Sequence, residues 1–377
     1  MKIAVVGAGE CFREKMVPAL EKLPELEIAE IIDMKSFPQI EEEFRRSGKV
    51  FPNAEYIQID GTPEDLEQSL HEDLDAVVLA TPHNQHINQS EVVISKGLHL
   101  YVEKPHAIDL VELERFRQVT TRHSGVVYPA CYYRDEKALA LSVLTGHIRP
   151  GDFRTDFIQT SDGNRVPKEF FGMIDRLGKI RKIEGSILES IGYAGTLEQY
   201  LWNCHDWAGM YRDLFFHLAT LVNLLQPRLG KTNVEYAEAG FAEEAVKMYE
   251  KEFGEGPKGE TYGQAKFSTE SGTEIQLSVG KYAREHKRNL RIEGESGFVH
   301  LDFNTNTATI RTPESERILV SWADPKYLFM MSTFYQLLHQ GKPVSKYMLE
   351  NSESAIRMAL DARNKVSRSF EYRRGDV

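Results

Sequence analysis

An apolar stretch, Ile3 to Val6, runs directly into Gly7-Ala8-Gly9 and then into a helix-compatible segment ending near Leu20. No other feature narrows the fold as much. A strand that passes through a glycine turn into a helix gathers backbone N–H groups and a helix N-terminus around one point, which suits a pyrophosphate. The order predicts a dinucleotide-binding βαβ unit; an ordinary tight turn is the alternative for the glycines alone. The pattern is incomplete, because the third glycine, which lets the helix pack closely on the strand, is replaced by Phe12. A second apolar run, Leu26 to Ile32, ends at Asp33, 24 residues after Gly9. An acid there accepts from the adenosine ribose hydroxyls and repels a 2′-phosphate, so NAD is expected ahead of NADP. Lys35 and Ser36 soften that preference and leave NADP open.

Length and charge bound the remainder. At 377 residues the chain suits two domains with proper cores. The 46 Lys and Arg against 57 Asp and Glu leave a net charge of −11, which disfavours nonspecific nucleic-acid binding and anionic membranes. The most apolar helix candidate, Leu214 to Leu225, carries His217 and Asn223 and is too short for a bilayer. The first apolar run stops at Gly7, so no signal peptide is expected. Cys11, Cys131 and Cys204 are odd in number and far apart, which predicts neither a disulfide framework nor a zinc site. A cytoplasmic protein in a reduced compartment is expected.

Residues 1–125 alternate short apolar runs with helical stretches, the rhythm of a doubly wound parallel sheet. Ala76 to Ala80 reads as a buried strand, Leu98 to Val102 as another, and Gly125 to Tyr128 as the last of this half. The remaining residues, 126–377, read as an α/β domain for substrate binding and oligomerisation. There, Lys137 to His147 reads as a helix and Phe153 to Thr160 as a strand. From Gln264 to Val320, strands are joined by turns at Glu270-Ser271-Gly272 and Glu295-Ser296-Gly297. Ile275 to Val279 and Val299 to Phe303 alternate as half-buried antiparallel strands do. A large, open, mostly antiparallel sheet with helices on one face is predicted, closed by a helix over Asn351 to Val366.

Five constellations carry candidate chemistry. Thr81-Pro82-His83-Asn84-Gln85-His86 follows a buried strand and is expected to border the cofactor; a capped strand-to-helix turn is the plainer reading. Two histidines with no nearby thiol or carboxylate do not predict a metal. Glu103-Lys104-Pro105 follows the next strand, where a lysine can stabilise a developing alkoxide. Asp213 and His217 stand four apart, with Thr220 beside them, so a helix puts them on one face. A histidine steadied by a carboxylate is a natural general base, although a self-satisfied buried pair has the same spacing. Arg165, Lys168, Arg176, Lys179, Arg181 and Lys182 crowd one segment beside Glu169 and Asp175 and could receive a carboxylate or phosphate; a solvated surface is the alternative. Tyr200, Trp202, Trp207 and Tyr211 could stack on a sugar ring or fill a core.

Taken in chain order, these pieces resemble the glucose–fructose oxidoreductase/inositol dehydrogenase (Gfo/Idh/MocA) family. They are Gly7-x-Gly9 with Pro18-Ala19-Leu20, Asp33, Ala80-Thr81-Pro82 with His86, Gly97-Leu98-His99 leading to Glu103-Lys104-Pro105, Tyr133-Arg134, Asp213-x-x-x-His217, and Glu353-Ser354-Ala355 through Ala362-Arg363. The resemblance implies a Rossmann domain, then an α/β domain whose open sheet face builds homodimers or homotetramers. It also implies hydride transfer between NAD(P) and a ring secondary alcohol or ketone of a sugar, sugar derivative or cyclitol. Lys104 then polarises the reacting hydroxyl, Asp213 positions it and His217 exchanges its proton, with Arg134 and Arg212 completing the substrate set. The cofactor set is Gly7, Gly9, Glu10, Cys11, Phe12, Asp33, Thr81, Pro82, His83, His86, Glu103 and Lys104. His83 stands where Asn is common, and bulky Met210-Tyr211-Arg212 follow Trp207-Ala208-Gly209. With the basic segment, Arg212 points to an acidic or phosphorylated sugar. Two other readings are an NAD-dependent glycoside-cleaving enzyme working by transient oxidation and elimination, and a noncatalytic sugar or nucleotide sensor.

Overall fold

The computed structural model describes residues 1–161, 163–166, 168–190, 205, 209–313, 315–323, 326–341, 346–373 and 377. Tyr200, Trp202, Cys204, Trp207 and Ala208 lie outside the described residues. The chain forms two compact units, Met1–Tyr132 with Pro325–Ser352, and Tyr133–Asp324 with Glu353–Val377. Where the sequence reading divides the chain once, after residue 125, the structure returns a late segment to the first unit.

In the first unit, β1 (Lys2–Val6), β2 (Glu27–Asp33), β3 (Glu55–Gln58), β4 (Ala76–Leu79), β5 (His99–Val102) and β6 (Val127–Pro129) form one sheet. All its pairings are parallel, in the order β3-β2-β1-β4-β5-β6. Helices α1 (Val17–Leu20), α2 (Phe37–Arg46), α3 (Pro63–Ser69), α4 (His86–Ser95) and α5 (Leu110–Arg122) make the crossovers. Ile3 to Val6 and Ala76 to Leu79 are buried throughout, which is why these strands read as unbroken apolar runs. Strand order reverses between β1 and β4, and ligands of such sheets bind outside the carboxyl ends at that point.

The departure at Phe12 has a structural answer. Residues Phe12–Met16 form a π-helical turn ahead of α1, closed by the Val17 N–H on the Phe12 carbonyl. Phe12 is fully buried and meets the Phe44 ring of α2 edge-on at 6.0 Å. The widened turn seats a ring where a glycine otherwise lets the helix lie close. Phe12→Ala is expected to destabilise the first unit by about 3–5 kcal/mol, read as a lower urea midpoint. An unchanged midpoint would show that the turn collapses harmlessly without its ring.

In the second unit, ten strands form a mixed sheet: β7 (Ile158–Thr160), β8 (Ile180–Ser190), β9 (Thr232–Ala242), β10 (Tyr262–Thr269), β11 (Glu274–Ala283), β12 (Lys287–Gly294), β13 (Phe298–Asp302), β14 (Thr307–Thr312), β15 (Ser315–Trp322) and β16 (Val366–Tyr372). Their order is β16-β9-β10-β11-β8-β12-β13-β14-β15-β7. Only β8/β11 and β9/β16 pair in parallel, so the sheet is mostly antiparallel as expected. Helices α6 (Leu139–Leu144), α7 (Met210–Asp213), α8 (Phe215–Asn223), α9 (Gln226–Leu229) and α10 (Glu243–Phe253) belong to this unit. Ile183, Leu277, Leu290 and Val299 are buried with Leu218 and Leu221 of α8. On the alternate register, Glu184, Gln276, Asn289, Arg291 and His300 remain partly exposed.

Three expected elements differ. Phe153–Phe157 is a 3₁₀ turn capped by Asp152, whose side chain accepts from the Arg154 N–H, and only Ile158–Thr160 is strand. The helix expected over Lys137 to His147 is a π-helical turn, Tyr133–Lys137, followed by α6. The last helix, α12 (Lys346–Asn364), stops before Val366, which opens β16 along the edge strand β9. That partner lies more than a hundred residues earlier, and helical spacing cannot reveal it. The returning helix α11 (Leu328–Gln340) inserts Met330, Met331, Phe334 and Leu338 into the core that holds Ile3, Val78, Tyr101 and Tyr128.

Candidate active site

In the first unit the site begins at the turn after β1. Gly7 has φ +94°, and a Cβ there would fall 2.8 Å from the carbonyl carbon and oxygen of Ala80. Only glycine fits that approach of two strand ends. A Cβ on Gly9 would meet nothing within 4 Å, so a space that no atom of the chain fills opens beside it. The Asp33 carboxylate closes the turn: the Ala8 N–H donates to Oδ2 at 2.7 Å and the Lys35 N–H to Oδ1 at 2.9 Å. A carboxylate so fixed keeps lone pairs for ribose hydroxyls, and this donor set fits a dinucleotide. Glu10 is exposed and Cys11 partly so, whereas Phe12 faces the core.

The loop after β4 is tied to the loop after β5. His86 is fully buried, with Nδ1 2.8 Å from the Pro105 carbonyl oxygen and Nε2 2.9 Å from that of Thr81. Burial pushes its pKa down to about 4, so the ring is neutral and donates through one nitrogen at a time. The Thr81 hydroxyl donates to Gln89 Oε1 at 2.5 Å, and the His83 ring stands 5.9 Å from that of His86. The Lys104–Pro105 peptide is cis. Lys104 is partly buried, and its own N–H lies 3.3 Å from Oε2 of the buried Glu103. Burial raises the Glu103 pKa, with Lys15 and Lys104 opposing. Tyr101 donates to the other Glu103 oxygen at 3.3 Å. The Cys11 thiol, pushed up to about 11 chiefly by burial, donates to the Tyr327 hydroxyl at 3.5 Å. Tyr327 stacks on Tyr132 at 5.7 Å, with φ +71°.

In the second unit, α7 follows Gly209, whose φ is +84° and whose Cβ would fall 2.7 Å from a Glu260 carboxylate oxygen. Glu260 is buried and caps this helix start, accepting from the Tyr211 N–H at 2.7 Å. Tyr211 is a core residue whose hydroxyl lies 2.8 and 2.7 Å from the Glu238 and Gln264 carbonyl oxygens and donates to one of them at a time. Arg212 is buried, within electrostatic reach of Glu260. Asp213 ends α7, and its Oδ2 lies 3.4 Å from the Lys281 ammonium. His217 lies one turn on, in α8, its N–H on the Leu214 carbonyl at 3.1 Å. Its ring is buried against Tyr133, centroids 4.7 Å apart. Arg134 is buried and forks onto Asp135, at 2.6 and 2.7 Å.

At least three of the six cations of the basic segment are in ion pairs. Arg165 pairs with Asp156, Arg181 with Glu295 and Lys182 with Glu184. Among the described residues, no group of three or more His, Cys, Asp or Glu is placed to hold a metal, and no helix is long and apolar enough to cross a membrane. Sequence reasoning overlooked Lys281, Glu260, Gln89, Arg13 and Tyr327. Each meets a candidate residue of its own unit through a partner distant in sequence or through helix packing.

Residues 1–130 match the family described as an oxidoreductase family with an NAD-binding Rossmann fold, Gfo/Idh/MocA. The N-terminal domain belongs to the Gfo/Idh/MocA family. A curated relative, 4-carboxy-2-hydroxymuconate-6-semialdehyde dehydrogenase of a Sphingobium species, is 33% identical over 115 residues; the match spans 30% of this chain and 33% of that enzyme. Solved structures resemble the whole chain. A 3-ketoreductase from Actinomadura kijaniata, crystallised with NADP and TDP-benzene, is 16% identical with a TM-score of 0.70 over 99% of both chains. UDP-N-acetylglucosamine 3-dehydrogenase from Acidithiobacillus ferrooxidans is 18% identical, TM-score 0.66, over 97% of both chains. An oxidoreductase from Thermotoga maritima is 19% identical, TM-score 0.70, over 97% of this chain and 96% of its own. At these identities the likeness extends the shared fold beyond the Gfo/Idh/MocA domain into the second unit.

Proposed function

We propose that this Gfo/Idh/MocA protein transfers a hydride between NAD(P) and a ring secondary alcohol or ketone of a sugar, sugar derivative or cyclitol. The observation that carries the reading is the set of loops at the carboxyl ends of β1, β2, β4 and β5. They present Gly9, Asp33, His86 and Lys104 along one edge of one sheet. Gly7, Gly9 and Asp33 hold the dinucleotide, with Thr81, Pro82 and His83 lining its nicotinamide half and the buried His86 and Glu103 bracing those loops from behind. The bound nicotinamide supplies the hydride acceptor in oxidation and the donor in reduction. The Lys104 ammonium polarises the carbinol oxygen and stabilises its developing charge. Asp213 orients the same hydroxyl, and His217 Nε2 or Nδ1 takes its proton in oxidation and returns it in reduction. Arg134 and Arg212, both engaged with acids, serve to shape the substrate pocket.

Absorbance of the reduced nicotinamide tests the reading, with NAD or NADP and a panel of nucleotide sugars, uronates, cyclitols, sugar phosphates and carboxylated semialdehydes. Turnover of one ring alcohol is expected; failure of every sugar and cyclitol alongside turnover of the semialdehyde would replace the substrate class. Asp33→Ala is expected to weaken NADH by about tenfold, the scale of a lost charge-assisted hydrogen bond, and to narrow its advantage over NADPH. Titration of the cofactor's fluorescence reads both, and an unchanged ratio would remove Asp33 from the ribose.

The partly exposed sheet face carrying Glu184, Gln276, Asn289 and Arg291 is proposed to pair with a second copy. Sedimentation of the protein alone decides between monomer, dimer and tetramer. A cytoplasmic setting is proposed for the protein.

A further inference from the structure

Beside Asp33 the first unit carries two cations that the hydride-transfer reading does not use. Arg13, in the π-helical turn, places Nη1 2.5 Å from Glu43 Oε2 and 3.0 Å from the Ala8 carbonyl oxygen. Lys35, two residues past Asp33, places Nζ 2.5 Å from the other oxygen of the same carboxylate. One Glu43 side chain on α2 therefore spans both cations, each within reach of the loop that Asp33 closes. The backbone at Lys35 is fixed as well: its N–H is on Asp33, and its carbonyl accepts the Tyr56 hydroxyl. Arg13 is largely buried, and its Nε has no hydrogen-bond partner. Ser36, the other polar group of this loop, is committed to the start of α2, donating N–H and hydroxyl to Gln39 Oε1 at 2.8 and 2.9 Å.

We infer that Glu43 is a cofactor-specificity residue: by holding Arg13 and Lys35, it withholds the two cations that a 2′-phosphate on the adenosine ribose would need. The inference rests on the reading that the first unit binds a nicotinamide dinucleotide. A 2′-phosphate is close to a dianion near neutral pH and demands charge-assisted partners, preferably a guanidinium fork. With Glu43 in place, Asp33 and Glu43 together balance Arg13 and Lys35, so the phosphate must break an existing ion pair to gain one. A ribose 2′-hydroxyl needs only the Asp33 carboxylate, which Glu43 does not touch. Without the Glu43 charge, two cations face a single acid and the local balance turns positive. The preference for NAD then comes from two acids of different kinds, one that receives the hydroxyl and one that occupies the competing cations.

The experiment is direct titration of the full chain with NADH and with NADPH, followed by fluorescence, in wild type, Glu43→Gln and Glu43→Gln/Lys35→Ala. Wild type is expected to favour NADH. Glu43→Gln is expected to tighten NADPH by about tenfold, the gain of a charge-assisted contact, with NADH nearly unchanged. The added Lys35→Ala is expected to remove that gain. Because Glu43 is partly exposed on a surface helix, the glutamine variant keeps the fold, and its thermal midpoint is recorded alongside. If Glu43→Gln leaves the NADPH to NADH ratio unchanged, or weakens both equally, the inference is wrong while the cofactor reading stands. Wild type preferring NADPH also overturns it. Wild type binding neither dinucleotide overturns the cofactor reading itself, and this inference with it.

Discussion

His217→Ala is expected to lower kcat by about 10²–10⁴-fold, the contribution of a positioned general base. His217 sits on α8, one turn beyond Asp213, with its ring packed against Tyr133, centroids 4.7 Å apart and planes tilted by 31°. That packing fixes the imidazole plane, which a proton-transfer group needs and a solvated histidine lacks. Two features separate chemistry from mere structure. In the oxidation direction the base must be unprotonated, so turnover rises with pH as the ring loses its proton; His217→Ala should lose that rise. His217→Asn keeps most of the volume against Tyr133, so it should stay folded and remain slow. A variant with wild-type pH dependence would show that another group takes the proton.

The second large effect is at Lys104. Its replacement by alanine should cut turnover by about 10²–10³-fold, the loss seen when one donor to a developing oxyanion is removed. NADH binding should survive on the proposed reading, in which Gly9 and Asp33 rather than this amine hold the dinucleotide. The split is informative. Equal loss of affinity and turnover would mean that Lys104 acts as a cofactor anchor; loss of turnover alone marks a group working in the transition state. The surroundings favour the second outcome: Lys104 is partly buried beside the buried Glu103, and His86 links the Pro105 carbonyl to Thr81. An ammonium on such a braced loop loses little order when it engages an alkoxide.

Elements signalled by neighbouring residues match the fold. The β1–glycine–helix start, the acid at Asp33 and the buried strand at Ala76 to Leu79 are contiguous signals, and the structure builds all three into one parallel sheet, with the glycine turn and Asp33 at its carboxyl side. The turns at Glu270-Ser271-Gly272 and Glu295-Ser296-Gly297 fall between β10 and β11 and between β12 and β13. The errors share a cause. Val366 continues a helical spacing but pairs with Ala237, and no window of neighbouring residues contains that partner. Phe153 to Thr160 looks strand-like by composition, yet the Asp152 side chain caps its first half into a 3₁₀ turn. The acids that pair with Arg165, Arg181 and Lys182 of the basic run, Asp156, Glu295 and Glu184, are not all neighbours in sequence and emerge only in the fold. Around the cofactor loop, Arg13 and Glu43 are ordinary surface-helix letters until α2 folds against the π-helical turn. Lys281 meets Asp213 across 68 positions, beyond any pattern rule.

The return of residues 325–352 to the first unit constrains how this protein can be made. A ribosome that has released only the opening nucleotide-binding half has produced a sheet with one flank bare, since Met330, Met331, Phe334 and Leu338 are still unsynthesised. Gene fragments ending at residue 132 should therefore aggregate rather than behave as a miniature domain, and early stop codons should cost both halves at once.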